Sequence, residues 1–498
     1  MAGSVRFEPS RTLAEYRLLP GLTTEGTSID RVSLKSPLVL SPDGSGAVML
    51  KAPVVAAAMQ SVSGVRMGIE IARLGGVAFI YCSQSIEDQA AMVRRIKSHK
   101  AGFVEPRAIG PDLPLREVDA VRKEAGFSTF PVVSDEGRLL GLITRRDYDV
   151  RAHGDLRASD RMVPREQLDV GVRITDIEEA NALLIEGHRS VLPIVDEDDR
   201  LLSLVFRKDI EDHLDNPDQV IDERKRLVAV AAANTRDHAE RVPALVEAGV
   251  DVVGFDSSDG YSSYQQAAIE WVRREFPALP VVGGNVITGD GFDFLVAAGA
   301  GAIKVGMGGG SICITQEQKG TGRGLATALM KVVEARDRHR ERTGIHVPVI
   351  ADGGVLHSKD VTVALALGAD AVMMGRYFAR MDESPTEKIR IGGRVMKPYW
   401  GEGSARARAW GPARYDGSGF LEGVEGFVEY AGKLKDNLPE LTAKVRAAMS
   451  SCGCATIEEL HEKAQLELVS ALSIREGKVH DIIQFGWGEG DSPSNWGT

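Results

Sequence analysis

Eight short stretches of the chain are apolar at nearly every position and lead into Gly, Asn, Asp or Ser. Continuous apolarity of this kind is typical of parallel strands that are covered on both faces. The predicted strands are Val54–Ala58, Val77–Tyr81, Leu227–Ala233, Asp251–Asp256, Pro280–Asn285, Ala302–Gly306, Val347–Ala351 and Ala371–Met374. Helix-like stretches separate them, among them Ser85–Ser98, Asp237–Ala248, Ser262–Glu275 and Leu325–Thr343. Strands and helices in alternation predict an α/β fold, a (β/α)8 TIM barrel.

The spacing of these strands predicts one large insertion. The strands that start at positions 227, 251, 280 and 302 follow each other after 24, 29 and 22 residues, which is a normal βα repeat. The sixth and seventh strands start 45 residues apart, so an extra loop is expected between them. The second and third strands start 150 residues apart, which predicts a separate inserted domain at about 104–218.

The predicted insert contains an internal repeat. The segments 130–147 and 192–209 align without a gap at an offset of 62 residues. The coinciding pairs are Pro131/Pro193, Arg138/Arg200, Leu139/Leu201, Arg145/Arg207 and Asp147/Asp209. Each unit predicts a strand, an acidic turn, a second strand, and a helix that starts at the basic-basic-Asp triplet. We expect two modules, at about 104–158 and 159–218.

The repeat resembles a tandem pair of cystathionine-β-synthase-type (CBS) domains. That resemblance implies an adenine or guanine nucleotide, ATP or GTP, with the aspartate of a Ser/Thr-x-x-Asp motif on the ribose. Thr144–Asp147 keeps the motif, whereas Phe206–Asp209 lacks the hydroxyl. A purely structural pair without a ligand is the alternative.

Composition and charge narrow the classes of function. The 498 residues are 43% hydrophobic and 26% charged, which is typical of a globular protein and not of a disordered or fibrous one. The formal net charge is −11, from 60 basic and 71 acidic residues. Because general nucleic-acid binders need a basic face, we expect no nucleic-acid partner.

Other sequence features concern the compartment. Four cysteines do not form a disulfide framework in a chain of this length. The segment MAGSVRFEPSRTL has no apolar core of a signal peptide. No apolar run approaches the roughly 18–20 residues of a membrane span. A cytoplasmic location without a membrane partner is the expectation.

The loop after the sixth strand carries the most specific chemistry. Function in these barrels lies at the carboxyl ends of the strands. Here four glycines in five positions, from Gly306 to Gly310, allow close approach of the backbone to a ligand or ion. Ser311 and Cys313 follow, and the thiolate of Cys313 is the candidate nucleophile. For the remaining cysteines we expect structural roles; they are Cys82, Cys452 and Cys454.

The last two strands predict a phosphate site. They lead into Asp352-Gly353-Gly354 and Gly375-Arg376, at the corner where barrels of this kind usually bind phosphate. Backbone N–H groups and an arginine suit a dianion, and Asp352 suits ribose hydroxyls. The expected ligand is a nucleoside monophosphate. The chain has neither a Rossmann fingerprint nor a P-loop motif.

The segment KVGMGGGSICITQEQKGTGRG resembles the catalytic loop of the IMP dehydrogenases. The resemblance covers essentially the whole chain. It includes Tyr16–Gly21, Asp256–Asp259, Trp400–Ser404 and the pair Arg414-Tyr415. Gly322-Arg323-Gly324 and Tyr399-Trp400-Gly401 are similar to the divergent branch found in some parasitic protozoa.

Membership of that family implies oxidation of IMP to xanthosine monophosphate (XMP) with reduction of NAD⁺. Cys313 would attack C2 of the purine, hydride would leave for the nicotinamide, and water would hydrolyse the remaining thioimidate. The implied substrate-binding residues are Ser311, Asn285, Asp352, Gly353, Gly354, Gly375, Arg376, Glu422 and, assisting, Ser257. The implied cofactor-binding residues are Asp256, Ser258, Arg236, Tyr264, Gly306 and Gly308, with Arg236 and Tyr264 on the adenine.

Two routes for activating the hydrolytic water follow from the resemblance. In the family, a mobile flap, here about 380–430, carries an Arg-Tyr pair that matches Arg414 and Tyr415. An arginine base conflicts with the usual protonation of arginine, although a desolvated site lowers the cost of its neutral form. The second route relays a proton through Thr315 to Glu422. The sequence leaves the choice open.

The resemblance also implies a monovalent cation and an oligomer. K⁺ would lie among the carbonyls of Gly308, Gly310 and Cys313, with carbonyls from a neighbouring subunit's Glu476-Gly477-Lys478. A lysine in that segment could replace or repel the ion, so potassium dependence stays open. The family assembles as homotetramers, and pairing into octamers also stays open.

Two other functions compete with the dehydrogenase. GMP reductase is a related barrel with the same cysteine loop, but it needs no hydrolytic water and hence no base on a flap. The Arg414-Tyr415 pair and the long flap therefore favour the dehydrogenase. A nucleotide sensor with an inactive barrel is the third possibility, and the intact Cys313, Thr315 and Arg414 argue against it.

Overall fold

The computed structural model describes residues 6–480 except 42–43, 45–46, 100–102, 105, 126–127 and 410–419. The eight predicted strands form one closed parallel barrel, which confirms the predicted fold class. In chain order they are β1 (Val54–Ala56), β2 (Val77–Ile80), β3 (Val230–Ala233), β4 (Val252–Phe255), β5 (Val281–Val286), β6 (Ala302–Val305), β7 (Val349–Asp352) and β8 (Ala371–Met374). The barrel closes between β8 and β1, where Met373 lies opposite Val55.

Helices surround the barrel. They are α1 (Val65–Arg73), α2 (Ile86–Lys97), α3 (His238–Glu247), α4 (Ser263–Glu275), α5 (Gly289–Ala297), α6 (Leu325–Thr343), α7 (Ser358–Ala366) and α8 (Leu434–Ser451). The four predicted helices match α2, α3, α4 and α6 to within a residue or two at each end. The ends follow ordinary capping chemistry: the Ser262 hydroxyl accepts from the Gln265 N–H at the start of α4, and Gly344 adopts a left-handed conformation after α6.

The chain between β2 and β3 forms its own compact unit, Lys97–Leu227, and the rest of the chain forms the other. Nevertheless β2 and β3 are paired, with Val230 opposite Phe79. The predicted insert, 104–218, lies inside this unit and is a few residues shorter at each end. Each half of the unit has a small buried core, one around Phe130 and the other around Leu192.

The two halves of the insert repeat each other in three dimensions. The hairpin strands Thr129–Val133 and Leu139–Thr144 recur 62 residues later as Val191–Val195 and Leu201–Phe206. The other elements are the strands Phe103–Val104, Val163–Pro164 and Gly171–Val172, and the helices Leu115–Ala125, Val150–His153, Ile177–Glu186 and Arg207–Asp215. One expectation was wrong. In the first repeat the residues after Thr144 form a turn, and the helix starts only at Val150, where the Asp149 carboxylate caps it. Only the second repeat starts its helix at the basic triplet.

The segment after β8 contains regular secondary structure. A short helix, Arg376–Ala379, leads into a three-stranded antiparallel sheet of Ile389–Ile391, Arg394–Trp400 and Glu425–Glu429. The helix Ala405–Arg408 follows the central strand. Residues 410–419, which include Arg414 and Tyr415, lie outside the described residues.

Smaller elements complete the chain. Tyr16–Leu19 pairs with Gln465–Leu468, and Ser36–Leu40 pairs with Ala47–Leu50. The remaining α-helices are Thr315–Lys319, Ile457–Lys463 and Ala471–Glu476, and short 3₁₀ turns occur at Leu13–Glu15, Glu25–Thr27, Ile29–Arg31, Ala158–Asp160 and Arg165–Gln167. Within the described part of the chain, no helix has both the length and the apolar character that crossing a membrane requires.

Candidate active site

A cleft lies at the carboxyl ends of the barrel strands, where the sequence predicted the chemistry. Most of the predicted site residues line it. They are Asp256, Ser258, Asn285, Gly306, Gly308, Gly310, Cys313, Thr315, Asp352, Gly353, Gly375 and Glu422. The loops after β4, β5, β6, β7 and β8 therefore converge on one space, together with Glu422 from the segment that follows the 410–419 gap. Further predicted residues are not among those that line the cleft: Ser311, Gly354, Arg376, Ser257, Arg236 and Tyr264.

Glycines let the loops after β6 and β7 meet backbone to backbone. Gly306 has φ +140°, and a Cβ placed on it would lie 1.9 Å from the Asp352 carbonyl oxygen. A Cβ on Gly353 would lie 3.4 Å from the Gly310 nitrogen. At Gly306 only glycine fits without displacing one loop, and at Gly353 the positive φ of +89° favours glycine. The close approach puts the cysteine loop beside Asp352, the last residue of β7.

A chain of polar contacts runs from the candidate nucleophile into the protein. Cys313 is partly exposed, and its Sγ lies 3.2 Å from the Thr315 hydroxyl. That hydroxyl donates to Oε2 of Glu422 over 3.4 Å. The same oxygen lies 2.9 Å from Nζ of Lys319. The Glu422 side chain is only 2% exposed, and a carboxylate buried in this way needs a partner such as Lys319.

Backbone hydrogen bonds hold the two halves of this contact chain together. The N–H of Ile314 donates to the Glu422 carbonyl, and the N–H of Val424 donates to the Ile312 carbonyl. The cysteine loop and the segment around Glu422 thus pair like two short antiparallel strands. Their separation of 107 residues in sequence explains why the sequence alone does not reveal this pairing.

Asn285 and Asp352 form a second polar group in the cleft. Nδ2 of Asn285 donates to Oδ2 of Asp352 over 2.8 Å and to the Gly306 carbonyl over 3.0 Å. The Asn285 Oδ1 atom is buried, and no hydrogen-bond donor reaches it among the described residues. Buried acceptors are rarely left without a donor. A ligand N–H or hydroxyl bound in the cleft would supply that donor.

Glu402 also lines the cleft, although it was not among the predicted site residues. It is buried and accepts hydrogen bonds from the Gln60 backbone N–H, over 2.7 Å, and from the Ser83 hydroxyl. Trp400 donates from Nε1 to the Gln60 side chain over 2.9 Å. These bonds tie the segment that leads into the 410–419 gap to the ends of β1 and β2. A charged residue between Gly401 and Gly403 was the available signal.

Two further buried polar residues support the cleft from the barrel. Nζ of Lys304, on β6, lies 3.7 Å from Oδ1 of Asp256. The lysine also lies over the Phe79 ring, 5.9 Å from its centroid. Tyr399 is buried against Gly375, and burial raises the pKa of its hydroxyl far above the usual range. Lys304 was not predicted as a site residue, because it lies within a strand rather than after its end.

The remaining predicted residues lie farther out. Ser311 and Gly354 are exposed and Arg376 is half-buried, while the Ser257 hydroxyl donates to the Asp259 carbonyl over 2.8 Å. Arg236 is exposed on a turn in which the Asn234 side chain accepts from the Arg236 N–H. Tyr264 is 77% exposed at the start of α4. The exposed ring of Tyr264 presents a face on which a flat ligand can stack.

The other cysteines differ from Cys313. Cys82, Cys452 and Cys454 are buried and free, as structural thiols would be. Burial raises the pKa of Cys452 and of Cys454 above the usual thiol value, which disfavours the reactive thiolate. Partial exposure in the cleft therefore distinguishes Cys313 from the others.

Comparison with known proteins identifies the family. Residues 11–480 match the IMP dehydrogenase / GMP reductase domain. Inosine-5′-monophosphate dehydrogenase of Tritrichomonas foetus is 48% identical over 96% of this chain and 97% of its own length. The enzyme of the same name from Escherichia coli K12 is 38% identical over 89% of this chain and 91% of its own. A solved GMP reductase from Trypanosoma brucei, in complex with guanosine 5′-monophosphate, has a TM-score of 0.79 and 29% identity, covering 96% of this chain and 99% of the other.

A (β/α)8 barrel with a partly exposed cysteine between glycine-rich loops defines a class of nucleotide-converting barrel enzymes. The chain belongs to the IMP dehydrogenase / GMP reductase family. The resemblance drawn from the cysteine loop is thereby confirmed, as is the similarity to a protozoan branch.

Proposed function

We propose that the protein oxidises IMP to XMP with NAD⁺ and water. The observation that carries this proposal is the contact chain from Cys313 through Thr315 to Glu422 in a cleft of the barrel. A covalent dehydrogenase needs a nucleophile and also a base for water, and the chain of contacts offers both in one place. The names of the most similar relatives support the same activity.

In the first half of the reaction, Sγ of Cys313 forms a bond to C2 of the purine, and hydride leaves that carbon. When bound, NAD⁺ would supply the acceptor for that hydride. Asp352 binds the ribose of IMP, and Asn285 lies near the base. IMP would donate a hydrogen bond to the Asn285 Oδ1 atom, which has no donor among the described residues. Backbone N–H groups around Gly353, Gly354 and Gly375, with Ser311, Arg376 and Ser257, hold the phosphate.

In the second half, water attacks C2 and the C–S bond breaks. The proton of the water goes either to the flap pair Arg414 and Tyr415 or through Thr315 to Glu422. Two distances support the second route: 3.2 Å from Sγ of Cys313 to the Thr315 hydroxyl, and 3.4 Å from that hydroxyl to Oε2 of Glu422. Positioned bases of this kind contribute about 10² to 10⁴ in rate.

Four of the residues that would hold the cofactor line the cleft: Asp256, Ser258, Gly306 and Gly308. The other two, Arg236 and Tyr264, are exposed and do not line it. We place the nicotinamide ribose at Asp256 and the adenine between Arg236 and Tyr264. An exposed tyrosine and arginine fit a stacked adenine ring.

We also propose that a potassium ion binds at the backbone of the cysteine loop. The carbonyl oxygens of Gly308, Gly310 and Cys313 are hard ligands, which suit K⁺. The first two already accept one hydrogen bond each, from the Gln316 side chain and from the Cys313 N–H, and each keeps a second lone pair. Carbonyls of Glu476, Gly477 and Lys478 from a neighbouring subunit would complete the site in a homotetramer.

The insert has a proposed regulatory role, as a CBS pair that binds ATP or GTP. In the first repeat the Asp147 carboxylate accepts a hydrogen bond from the Thr144 N–H over 2.6 Å. The Asp147 N–H in turn donates to the Thr144 carbonyl and closes a turn. The second repeat has Phe206 in place of the hydroxyl residue. The first repeat is therefore the better candidate for a ribose contact.

One assay tests the proposed function. Purified protein is mixed with IMP and NAD⁺, and the NADH absorbance band is followed with and without K⁺ and with added ATP or GTP. We expect NADH and XMP in equal amounts. GMP with a reduced nicotinamide cofactor is the matched assay for the family's other activity. If only that mixture reacts, the protein is a reductase, and if neither reacts, the barrel acts as a nucleotide sensor.

A further inference from the structure

Lys319 occupies a special place beside the proposed water-activating relay. Its Nζ and the Thr315 hydroxyl both contact the same oxygen, Oε2 of Glu422, at 2.9 and 3.4 Å. Thr315 and Lys319 are the first and last residues of one helical turn, Thr315–Lys319. Residues four apart on a helix lie on the same side, so one turn presents both groups to Glu422.

The burial of Glu422 makes this contact matter. Its side chain is 2% exposed, and among the described residues Lys319 alone forms an ion pair with it within 4.0 Å. A buried carboxylate without a cation is costly, and it responds by taking up a proton or by turning to another partner. Lys319 is itself 36% exposed, so its ammonium keeps part of its hydration while it balances the buried charge.

A third group orients the lysine. Its Nζ lies 5.9 Å from the centroid of the Phe420 ring, within the range of a cation–π contact. Phe420 precedes Glu422 by two residues in the segment that follows the 410–419 gap. The ammonium thus connects the cysteine loop with this segment at two points.

We infer that Lys319 is a positioning residue for hydrolysis, which holds the Glu422 carboxylate in place and aims it at Thr315. This inference rests on the proposed relay. When water attacks C2, the new C–O bond forms and the water proton moves to Oγ1 of Thr315. The Thr315 proton moves to Oε2 of Glu422, and the C–S electron pair returns to Cys313. Only the carboxylate form of Glu422 can accept that proton. Lys319 takes no part in the proton transfer itself.

The test separates hydride transfer from hydrolysis in Lys319→Met, Lys319→Arg and Glu422→Gln. Each variant is made in the wild type and in Arg414→Ala, because the flap route would otherwise hide a loss in the relay. Rapid mixing gives the NADH burst rate and the decay of the covalent intermediate. In the Arg414→Ala background we expect Lys319→Met to slow the decay about tenfold or more and to change the burst by no more than about twofold.

Two further results are expected. Lys319→Arg restores most of the decay rate, because a guanidinium can also pair with the carboxylate. Adding Lys319→Met to Glu422→Gln causes no further loss, because the neutral amide needs no cation. Lys331→Met is the matched control: Lys331 is also 36% exposed and 2.9 Å from a glutamate, Glu334, but lies on α6. Its decay rate should equal that of the parent.

Three outcomes would overturn the inference. The first is an equal loss in burst and decay, which would indicate a general structural role. The second is a loss that adds fully to that of Glu422→Gln. The third is a decay rate that Glu422→Gln lowers and Lys319→Met leaves unchanged, which would show that the relay works without Lys319. If Glu422→Gln leaves the decay unchanged in both backgrounds, the relay fails and Lys319 has nothing to position.

Discussion

Gly306 lies at the end of β6 in a position that admits no side chain. Its φ is +140°, and an added Cβ would overlap the Asp352 carbonyl oxygen at 1.9 Å. We predict that Gly306→Ala displaces the cysteine loop and lowers kcat/KM for IMP by about 100-fold, since catalytic groups misplaced by 1 Å cost that much. Steady-state kinetics and thermal unfolding provide the measurements.

Gly392 is the control for backbone strain without a clash. It also has a positive φ, +56°, but no atom of the described residues lies within 4 Å of an added Cβ. Gly392→Ala should cost about 1–2 kcal/mol of stability from the left-handed backbone alone and leave kcat/KM unchanged. Equal kinetic losses in the two variants would show that the overlap at Gly306 does not shape the site.

A second prediction at the residue scale concerns the nucleophile. Cys313→Ala should lower NADH production about a thousandfold or more, because no other described thiol lines the cleft. IMP should still bind, since the ribose and phosphate groups belong to other loops, and isothermal calorimetry can measure that binding. Substantial turnover by the alanine variant would refute covalent catalysis through Cys313.

Residues at or after the end of a strand were the easiest to predict. A buried apolar run leads into each of four such residues, and the structure brings all of them into one cleft: Asp256, Asn285, Cys313 and Asp352. Lys319 could not be found in this way, since its contact with Glu422 spans 103 residues of sequence. Its position in a polar helical turn gives no local sign of that contact.

At the scale of elements, the barrel was predictable and the segment after it was not. Strands buried on both faces read as continuous apolar runs, which few other elements produce. The antiparallel sheet after β8 contains Arg394–Trp400, where apolar and charged residues mix. It pairs with Glu425–Glu429, where Trp400 lies opposite Glu425, 25 residues later in the chain, so neither length nor periodicity pointed to the pairing.

The helix Ile457–Lys463 contributes a pH-dependent contact. His461 lies against the Ala369 carbonyl at 3.0 Å, and burial lowers the pKa of its imidazole. The folded protein therefore keeps His461 neutral at pH values where the unfolded chain, with a pKa of about 6.5, takes up a proton. Because the unfolded state binds more protons, stability falls as the pH drops through that value.

We predict that His461→Gln reduces this acid sensitivity. The amide still donates to the Ala369 carbonyl but does not titrate, so the Tm should change less between about pH 7.5 and about pH 5 than in the parent. Differential scanning fluorimetry at matched ionic strength is sufficient. His480→Gln, at an exposed position, should keep the parental slope. A parental slope in His461→Gln would show that other groups set the acid sensitivity.

At the scale of the whole molecule, a 150-residue interval and a 62-residue repeat were enough to predict an inserted unit. The symmetry between its halves needed the structure. The N–H of Leu139 donates to the Asp199 carbonyl, and the N–H of Leu201 donates to the Gly137 carbonyl. Each donor and acceptor has its equivalent 62 residues away, which relates the halves by an approximate two-fold axis. No local sequence pattern encodes such contacts between repeats.

The ends of the insert are fastened to each other. Nζ of Lys97 lies 2.8 Å from Oδ2 of Asp222, with both side chains largely buried, and the N–H of Leu227 donates to the His99 carbonyl. Together with the pairing of β2 and β3, these contacts bring the outgoing and returning chain to one place. A deletion that keeps residues 97–103 and 219–227 therefore keeps the closure.

We predict that replacing about residues 104–218 with a short Gly/Ser linker leaves the barrel folded and IMP oxidation largely intact. The reason is that every residue of the cleft lies outside the insert and the closing contacts at its ends are retained. NADH production by the full chain and by the deletion variant is measured with and without ATP or GTP. Only the full chain should respond to the nucleotide. A deletion variant with native far-UV circular dichroism and no IMP oxidation would show that the insert builds part of the active site. The division into a catalytic barrel and a regulatory unit would then be wrong.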